Sequence, residues 1–248
     1  MNEAKELTIQ PTGIITMFIF GLIAGIILTV SFNKFIKSNT FKHLKTICKH
    51  KWYVFCFCFK CGIIWRGIKH DMSKFSPTEF MESIKYYKGT SSPIDACKAI
   101  NGYSKAWQHH KARNSHHYEA WTDNYDSGTT CIQMPFKDAL EMLCDYLGAA
   151  KAYMGDDFSY SGEEKWWLEK KLPTVNAMHP VIKNFITKSL HEVAMAYESG
   201  SKSKLRKRYL YAIYCSCEKD FRDNCPKEYV NNANLKIYKC SEIIKPSK

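Results

Sequence analysis

The chain has 248 residues, enough for one domain of about 200 residues plus an appendage, and its 45% hydrophobic and 14% aromatic content supplies ample material for a core. A net charge of +12 leaves nucleic acid, an anionic membrane surface or an anionic substrate as partners, depending on where the charge sits. Eleven scattered cysteines, an odd number without framework spacing, argue against a disulfide-stapled scaffold and for a reduced, cytosolic chain.

Met1 to Pro11 is short, polar and nearly neutral. Gly13 to Phe32 is then twenty residues without a charge. As a helix it is about 30 Å long, the thickness of a hydrocarbon core. A cleaved signal peptide would need a basic start, and Glu3 and Glu6 outnumber Lys5 there. The segment therefore predicts a transmembrane helix over 13–32. Lys34, Lys37, Lys42, Lys45, Lys49 and Lys51 follow with no acid among them. The positive-inside rule puts this side in the cytoplasm, against anionic lipid, and residues 1–12 outside. Gly21 and Gly25 form a small-xxx-small pair that could pair two anchors as a homodimer, although glycine is common in membrane helices in any case.

His43 to Lys69 reads as helices. His50, Val54, Cys58 and Cys61 recur at spacings of four, four and three, one face of a helix. Cys56-x-Cys58-x-x-Cys61 is not a zinc motif on that template, because Cys56 points away and no second pair follows; these are core fillers. Gly62 and Gly67 bracket a short helix that delivers His70-Asp71-Met72-Ser73-Lys74-Phe75. Ser76, Pro77 and Glu79 stand as cap, first helical residue and capping-box partner of a helix to about Tyr87. Lys88 to Gly102 reads as a loop. A helix from near Tyr103 is expected to carry His109, His110, Asn114, His116, His117 and Glu119. Asp123 to Gln133 reads as a turn-rich loop, and Lys137 to Tyr153 as a strong helix with a stripe of Leu140, Leu143, Leu147 and Ala150. Asp145 lies on that helix among Met142, Ala149 and Ala152, where a carboxylate is costly unless paired or metal-bound. Glu163–Leu172 and Pro180–Glu198 look helical, with Trp166 and Trp167 as packing residues. A Gly/Ser/Lys linker, 199–204, leads to a basic tail with Arg206-Lys207-Arg208 at its head. That tail lacks the aromatic interleaving of single-strand binders, so a solvated or lipid-facing patch is favoured over nucleic acid. Strand signals are nearly absent. The expected class is all-α.

Four of the nine histidines fall between 109 and 117, between an HD pair and a carboxylate in apolar company. Imidazole and carboxylate donors together suit Mn, Fe, Zn, Ni or Co. The expected ligands are His50, His70, Asp71, His110, His117 and Asp145, enough for one or two ions. His43 is the alternative to His50, and His109 and His116 are the alternatives within the pairs. On a helix, neighbours diverge by about 100°, so one histidine of each pair is expected to face the ion.

The stretch from His43 to about Met154 resembles the bacterial and phage family catalogued as domain of unknown function 5662. The motifs that carry the resemblance are His50-Lys-Trp-Tyr-Val54, Cys61-Gly62, the run His70 to Phe80, Gly102-Tyr103-Ser104, His109-His110 with Asn114, His116-His117, Glu119 and Trp121, and Met134-Pro135 to Asp145. More distantly, the order H…HD…H…H…D resembles the HD-domain metal-dependent phosphohydrolases. That resemblance implies a first ion on the early His, the HD pair and the late Asp, and a second on the intervening histidines. The doubled His pairs and Glu119 depart from the pattern.

The expectation is a transmembrane helix followed by an HD-like helical domain over 33–154, a helical extension over 155–200 and a basic tail over 201–248. Its function is expected to be phosphoester hydrolysis from a cytoplasmic domain on a single-pass anchor. Asp71 would bridge ions or orient the attacking water, Lys74 or Arg113 would hold a phosphate oxygen, and Glu119 or a non-ligating histidine would protonate the leaving group. Two rivals are a membrane-tethered interaction module with a structural metal and a nucleic-acid-associated membrane protein.

Overall fold

The computed structural model describes residues 11–89, 91–125, 128–201, 204–224 and 237–239. The expected outer N-terminus, apart from its last residues, and most of the basic tail beyond Asn224 lie outside them. The chain forms two compact units, Met1–Lys45 and Thr46–Lys248. It is mostly helical.

The N-terminal unit holds α1, Pro11–Lys37, and the first residues of α2, Asn39–Lys60. Within α1, Ile19–Lys37 is long and apolar enough to cross a membrane by length and composition, and none of it is buried. Phe20, Leu22, Ile26 and Leu28 are exposed.

The larger unit continues with α3, Ile64–Lys69, α4, Pro77–Tyr86, α5, Pro93–Asn101, and α6, Lys105–Arg113. Ser76, Ser92 and Ser104 cap the last three, each accepting a bond from the backbone N–H three residues on. The stretch read as a loop over Lys88–Gly102 thus contains α5, which Ser92 starts, Pro93 leads and Gly102 ends at φ 75°. The expected helix through Glu119 stops at Arg113. Residues 118–121 form one 3-10 turn instead.

A hairpin occupies the other expected loop. Strand β1, Thr122–Tyr125, pairs antiparallel with β2, Gly128–Ile132, in register Thr122↔Cys131. Two long helices then flank a short one: α7, Phe136–Met154, α8, Tyr160–Trp166, and α9, Pro180–Glu198. The last helix is α10, Lys207–Asn224, and strand β3, Ile237–Lys239, adds to β2 as the sheet's third strand. Strand β3 lies more than a hundred residues from its partner, so no local pattern announced this sheet. Cys131 is disulfide-bonded, which corrects the expectation of a wholly reduced chain at that position.

Helix α7 is the centre of the core. Leu140, Leu143 and Leu147 are fully buried, with Val181, Ile182, Phe185 and Ile186 of α9 and Leu210 of α10 in the same apolar cluster. Burying each such side chain stabilises the fold by about 1.5–3 kcal/mol. Tyr214 donates to the Met134 carbonyl at 2.5 Å and accepts from Gln133 at 2.8 Å, fixing α10 to the start of α7. Trp167 is buried and donates to Thr187 at 2.8 Å, whereas Trp166 is 42% exposed and is not a core residue.

The expected face of α2 is buried as well. Val54, Cys58 and Cys61 are inaccessible, and burial pushes up the thiol of Cys144, which lies against Cys58 and Cys61 from α7. Helices α2 and α7 approach closely because Gly148 has no side chain. A Cβ there would lie 2.9 Å from the Val54 nitrogen and 3.0 Å from its Cα. Gly148→Ala is therefore expected to force the helices apart and cost about 1–3 kcal/mol, read as a drop of several degrees in thermal midpoint. The same separation would pull His50 of α2 from Asp145 of α7. A variant as stable as wild type would show that the contact relaxes freely.

Candidate metal centre

Each donor reaches the site for a local reason. His50 sits one turn before Val54 on the buried face of α2. His70 ends α3, and Asp71 follows at φ 53°, the only non-glycine in the left-handed region among the described residues. Aspartate tolerates that region better than most residues, at some cost in strain. In a helix the two side chains would diverge by about 100°. The left-handed turn brings them together, with His70 Nε2 3.3 Å from Asp71 Oδ2. Lys51 donates to the His70 carbonyl and holds this turn against α2.

Helix α6 is positioned by α4. The Glu82 carboxylate accepts from Ser104 Oγ at 2.5 Å and from the Ala106 N–H at 3.1 Å. Glu79 is buried and its carboxylate binds His109 at 2.6 Å and His110 at 2.8 Å, rather than closing the expected capping box. Asn114 donates to Ser73 at 2.8 Å, tying the end of α6 to the HD turn.

The imidazole Nε2 atoms then converge on two carboxylates. Those of His50 and His70 lie 3.1 and 3.4 Å from Asp145 Oδ1, and 3.4 and 3.3 Å from Asp71 Oδ2. On the other side, His110 and His116 lie 3.2 and 3.4 Å from Asp71 Oδ1, and His110 Nε2 is 2.8 Å from His117 Nε2. Two donor sets result, His50/His70/Asp71/Asp145 and Asp71/His110/His116/His117, each with its ligand atoms within 4.8 Å of one another. Asp71 belongs to both and turns one oxygen to each.

These distances fit bound ions. Two ligands about 2.1 Å from an ion stand roughly 3.0–3.4 Å apart in octahedral or tetrahedral geometry. Among the described residues, neither Asp71 oxygen nor His116 Nε2 has a hydrogen bond of good geometry, although all are buried. Lys74 Nζ gives Oδ2 a positive charge at 2.6 Å, whereas Oδ1 has only imidazoles beside it, and a buried acceptor left so is costly unless a cation completes it. The opposite ring atoms are held by carboxylates. Glu141 takes His70 Nδ1 at 3.0 Å and His116 Nδ1 at 3.2 Å, and Glu79 takes His110 Nδ1. This carboxylate–histidine arrangement fixes the tautomer that presents Nε2 to a metal. Arg66 in turn pairs with Glu141 at 2.5 Å and with Asp138.

Burial alone would raise the carboxylate pKa values, yet His70, Lys74 and His110 hold Asp71 well below the usual range, and His50 and His70 do so for Asp145. Burial lowers the imidazoles, but Asp71 and the glutamates outweigh it at His70, His110 and His116, which end above the ordinary histidine value. Burial and the neighbouring His116 keep His117 well below it, hence neutral.

The six expected ligands come together in this cluster, and of the two histidine pairs the first divides as expected while the second does not. His109 is turned away onto Glu79. His116 and His117 both enter, because they lie in the turn after α6 rather than on a helix, so the 100° divergence does not apply. His43 is not among the clustered donors. Lys74 Nζ is 2.6 Å from Asp71 Oδ2. Arg113 is exposed and, among the described residues, bonds only its own helix, at the His109 carbonyl, so it does not reach the centre. Glu119 is half-buried in the wall of an adjoining cavity. Sequence reading left Glu79 and Glu141 without their histidine-holding role. Their spacing in the helix was visible, but the histidines they hold come from other elements.

That cavity, of about 570 Å³, has His117 and Asp145 in its wall. The centre thus borders this cavity on one side.

Residues 39–192 match the Family of unknown function (DUF5662), more than half the chain. The chain belongs to this family. The DUF5662 match holds every donor of both sets, from His50 to Asp145, together with Glu79, Glu141 and the cavity wall. Beyond that match, no curated protein and no solved structure matches the chain significantly.

Proposed function

We propose that this protein is a membrane-anchored, metal-dependent phosphohydrolase of the HD-like type. The observation that carries the reading is the pair of donor sets sharing Asp71, with His117 and Asp145 lining a cavity. A structural metal site is closed by protein ligands, whereas a catalytic one keeps a side for substrate. His50, His70, Asp71 and Asp145 would hold one ion, and His110, His116 and His117 with Asp71 a second, from among Mn, Fe, Zn, Ni and Co. Such ions supply Lewis-acid polarisation of a phosphoryl oxygen and a water of lowered pKa. Glu141 and Glu79 orient the imidazoles. Lys74, already on Asp71, is close enough to place a positive charge on a phosphate oxygen, as a point charge rather than a fork.

Elemental analysis of the full chain, purified in detergent without chelators, is expected to find about one to two equivalents of transition metal. A phosphoesterase screen with added Mn or Ni is expected to find turnover that chelation removes. No retained metal would end the reading. Stoichiometric metal with no phosphoester turned over would favour the structural-metal module.

Helix α1 would anchor the chain, with the lysines that follow it on the cytoplasmic side. The disulfide at Cys131 favours the opposite orientation, since such bonds persist in oxidising compartments. Cys48, a free exposed thiol, decides between them. It is expected to resist an impermeant maleimide in intact cells and to react after lysis. Labelling from outside would reverse the topology.

A further inference from the structure

The cavity beside the metal centre contains a group that the hydrolytic machinery described above does not use. Glu163, on α8, lines its wall and is only 4% exposed. Among the described residues its carboxyl has no ion-pair or hydrogen-bond partner. A buried carboxylate without a cation is far costlier than a buried carboxylic acid. Burial, and then the negative charge of Asp145, push its pKa up to about 8. The group is therefore a buried, unpartnered carboxyl in the same cavity wall as His117 and Asp145 of the metal centre.

Much of the rest of that wall is apolar and aromatic, with Asp95, Lys98, Glu119 and Lys171 as its other charged residues. Tyr146, Tyr153, Trp107 and Trp166 contribute rings, with Ala149 and Ala150 between them. The two lysines of the wall are parked on rings, Lys98 Nζ 4.2 Å from the Trp107 centroid and Lys171 Nζ 5.8 Å from that of Tyr118. A space of about 570 Å³ with such walls suits a flat organic group rather than a second polyanion.

Resting on the hydrolase reading, we propose that this cavity receives the organic part of an aromatic phosphoester and that Glu163 is the acid that protonates its leaving oxygen. As water oxygen bonds to phosphorus, the bond from phosphorus to the ester oxygen breaks, and the Glu163 proton passes to that oxygen. The products are the free hydroxyl compound and phosphate. One proton of the attacking water stays on the phosphate and the other goes to solvent, from which Glu163 regains its own. Glu119, first expected to give this proton, lies in the same wall but is less buried.

The test uses the full chain loaded with Mn and a series of aryl phosphates from p-nitrophenyl to phenyl to p-methoxyphenyl, with glycerol phosphate as the non-aromatic control. A donor that protonates the leaving oxygen makes wild-type kcat/KM nearly independent of the leaving group, and the aryl esters are preferred over glycerol phosphate. E163Q keeps the size and neutrality of the protonated acid but has no proton to give. It is expected to lose about 10²-fold or more on phenyl phosphate and less than about tenfold on p-nitrophenyl phosphate, whose oxygen leaves unaided. Metal content and thermal midpoint should stay at wild-type values. Equal losses on both esters, or no loss, would overturn the role of Glu163. A steep leaving-group dependence in the wild type would do the same without any variant. A metal-loaded wild type that turns over none of the esters would sink the hydrolase reading itself, and this inference with it.

Discussion

On the proposed reading, Asp71→Ala is expected to strip the centre of metal and to reduce hydrolysis to background. Its two oxygens face different donor sets, Oδ2 toward His50 and His70 and Oδ1 toward His110 and His116. Losing it removes a ligand from both sets at once, where loss of a single histidine removes one from one. The metal-free protein suffers too. Asp71 is 1% exposed and is the charge partner of Lys74, His70 and His110. Removing one member of such a buried group typically costs about 3–5 kcal/mol, because the remaining charges lie uncompensated. Elemental analysis, calorimetric metal titration and thermal unfolding with and without chelator read the three effects separately. Lys74→Ala provides the contrast. It should keep its metal, since an ion supplies the positive charge beside Asp71, and lose turnover. Wild-type metal content and wild-type activity in Asp71→Ala would dispose of the centre as described.

Glu141→Ala is expected to have the next largest effect, although Glu141 belongs to neither of the two Asp71-containing donor sets. One carboxylate holds the Nδ1 atoms of His70 and His116 and accepts from Arg66. Without it both rings are free to turn or to change tautomer, and metal affinity should fall about 10- to 100-fold. Arg66 would keep Asp138 as partner. The pH dependence of the metal-free protein gives a second signature. His70 and His116 titrate above the ordinary value in the folded state, so the stability they contribute is present below the unfolded histidine pKa near 6.5. It is lost as pH rises through their raised values. Glu141, held below the usual glutamate value by the same imidazoles, contributes above the ordinary glutamate range and loses its share as pH falls. Chelator-treated wild type should thus weaken above neutrality, while the metal-loaded protein strengthens there, because protons no longer compete for Nε2. Glu141→Ala should flatten the first trend. An unaltered metal affinity and an unaltered pH profile in this variant would mean that the glutamate orients nothing.

Much of the helical frame follows from local pattern alone. Spacings of four, four and three put Val54, Cys58 and Cys61 on one face of α2, and all three are buried. Ser76 and Pro77 start α4, and Pro180 to Glu198 has the bounds of α9, because caps, prolines and 3.6-residue periodicity act within one turn of chain. The donor types for a metal were legible for the same reason: histidine, aspartate and their order need no third dimension.

What tertiary structure decided is where those donors point. His117 would share a helical face with His110 if α6 continued, but α6 ends at Arg113, and the turn that follows admits both His116 and His117. Asp71 reaches two donor sets only because its backbone is left-handed, a conformation that no spacing rule encodes. Glu79 and Glu141 read as ordinary helix acids until α4 meets α6 and α7 meets the HD turn. Glu163 is one more acid in a short helix until the walls of the cavity close over it. Periodicity reports which face of an element is apolar. It carries nothing about which faces of two distant elements meet, and a metal centre or a buried acid exists only at such meetings.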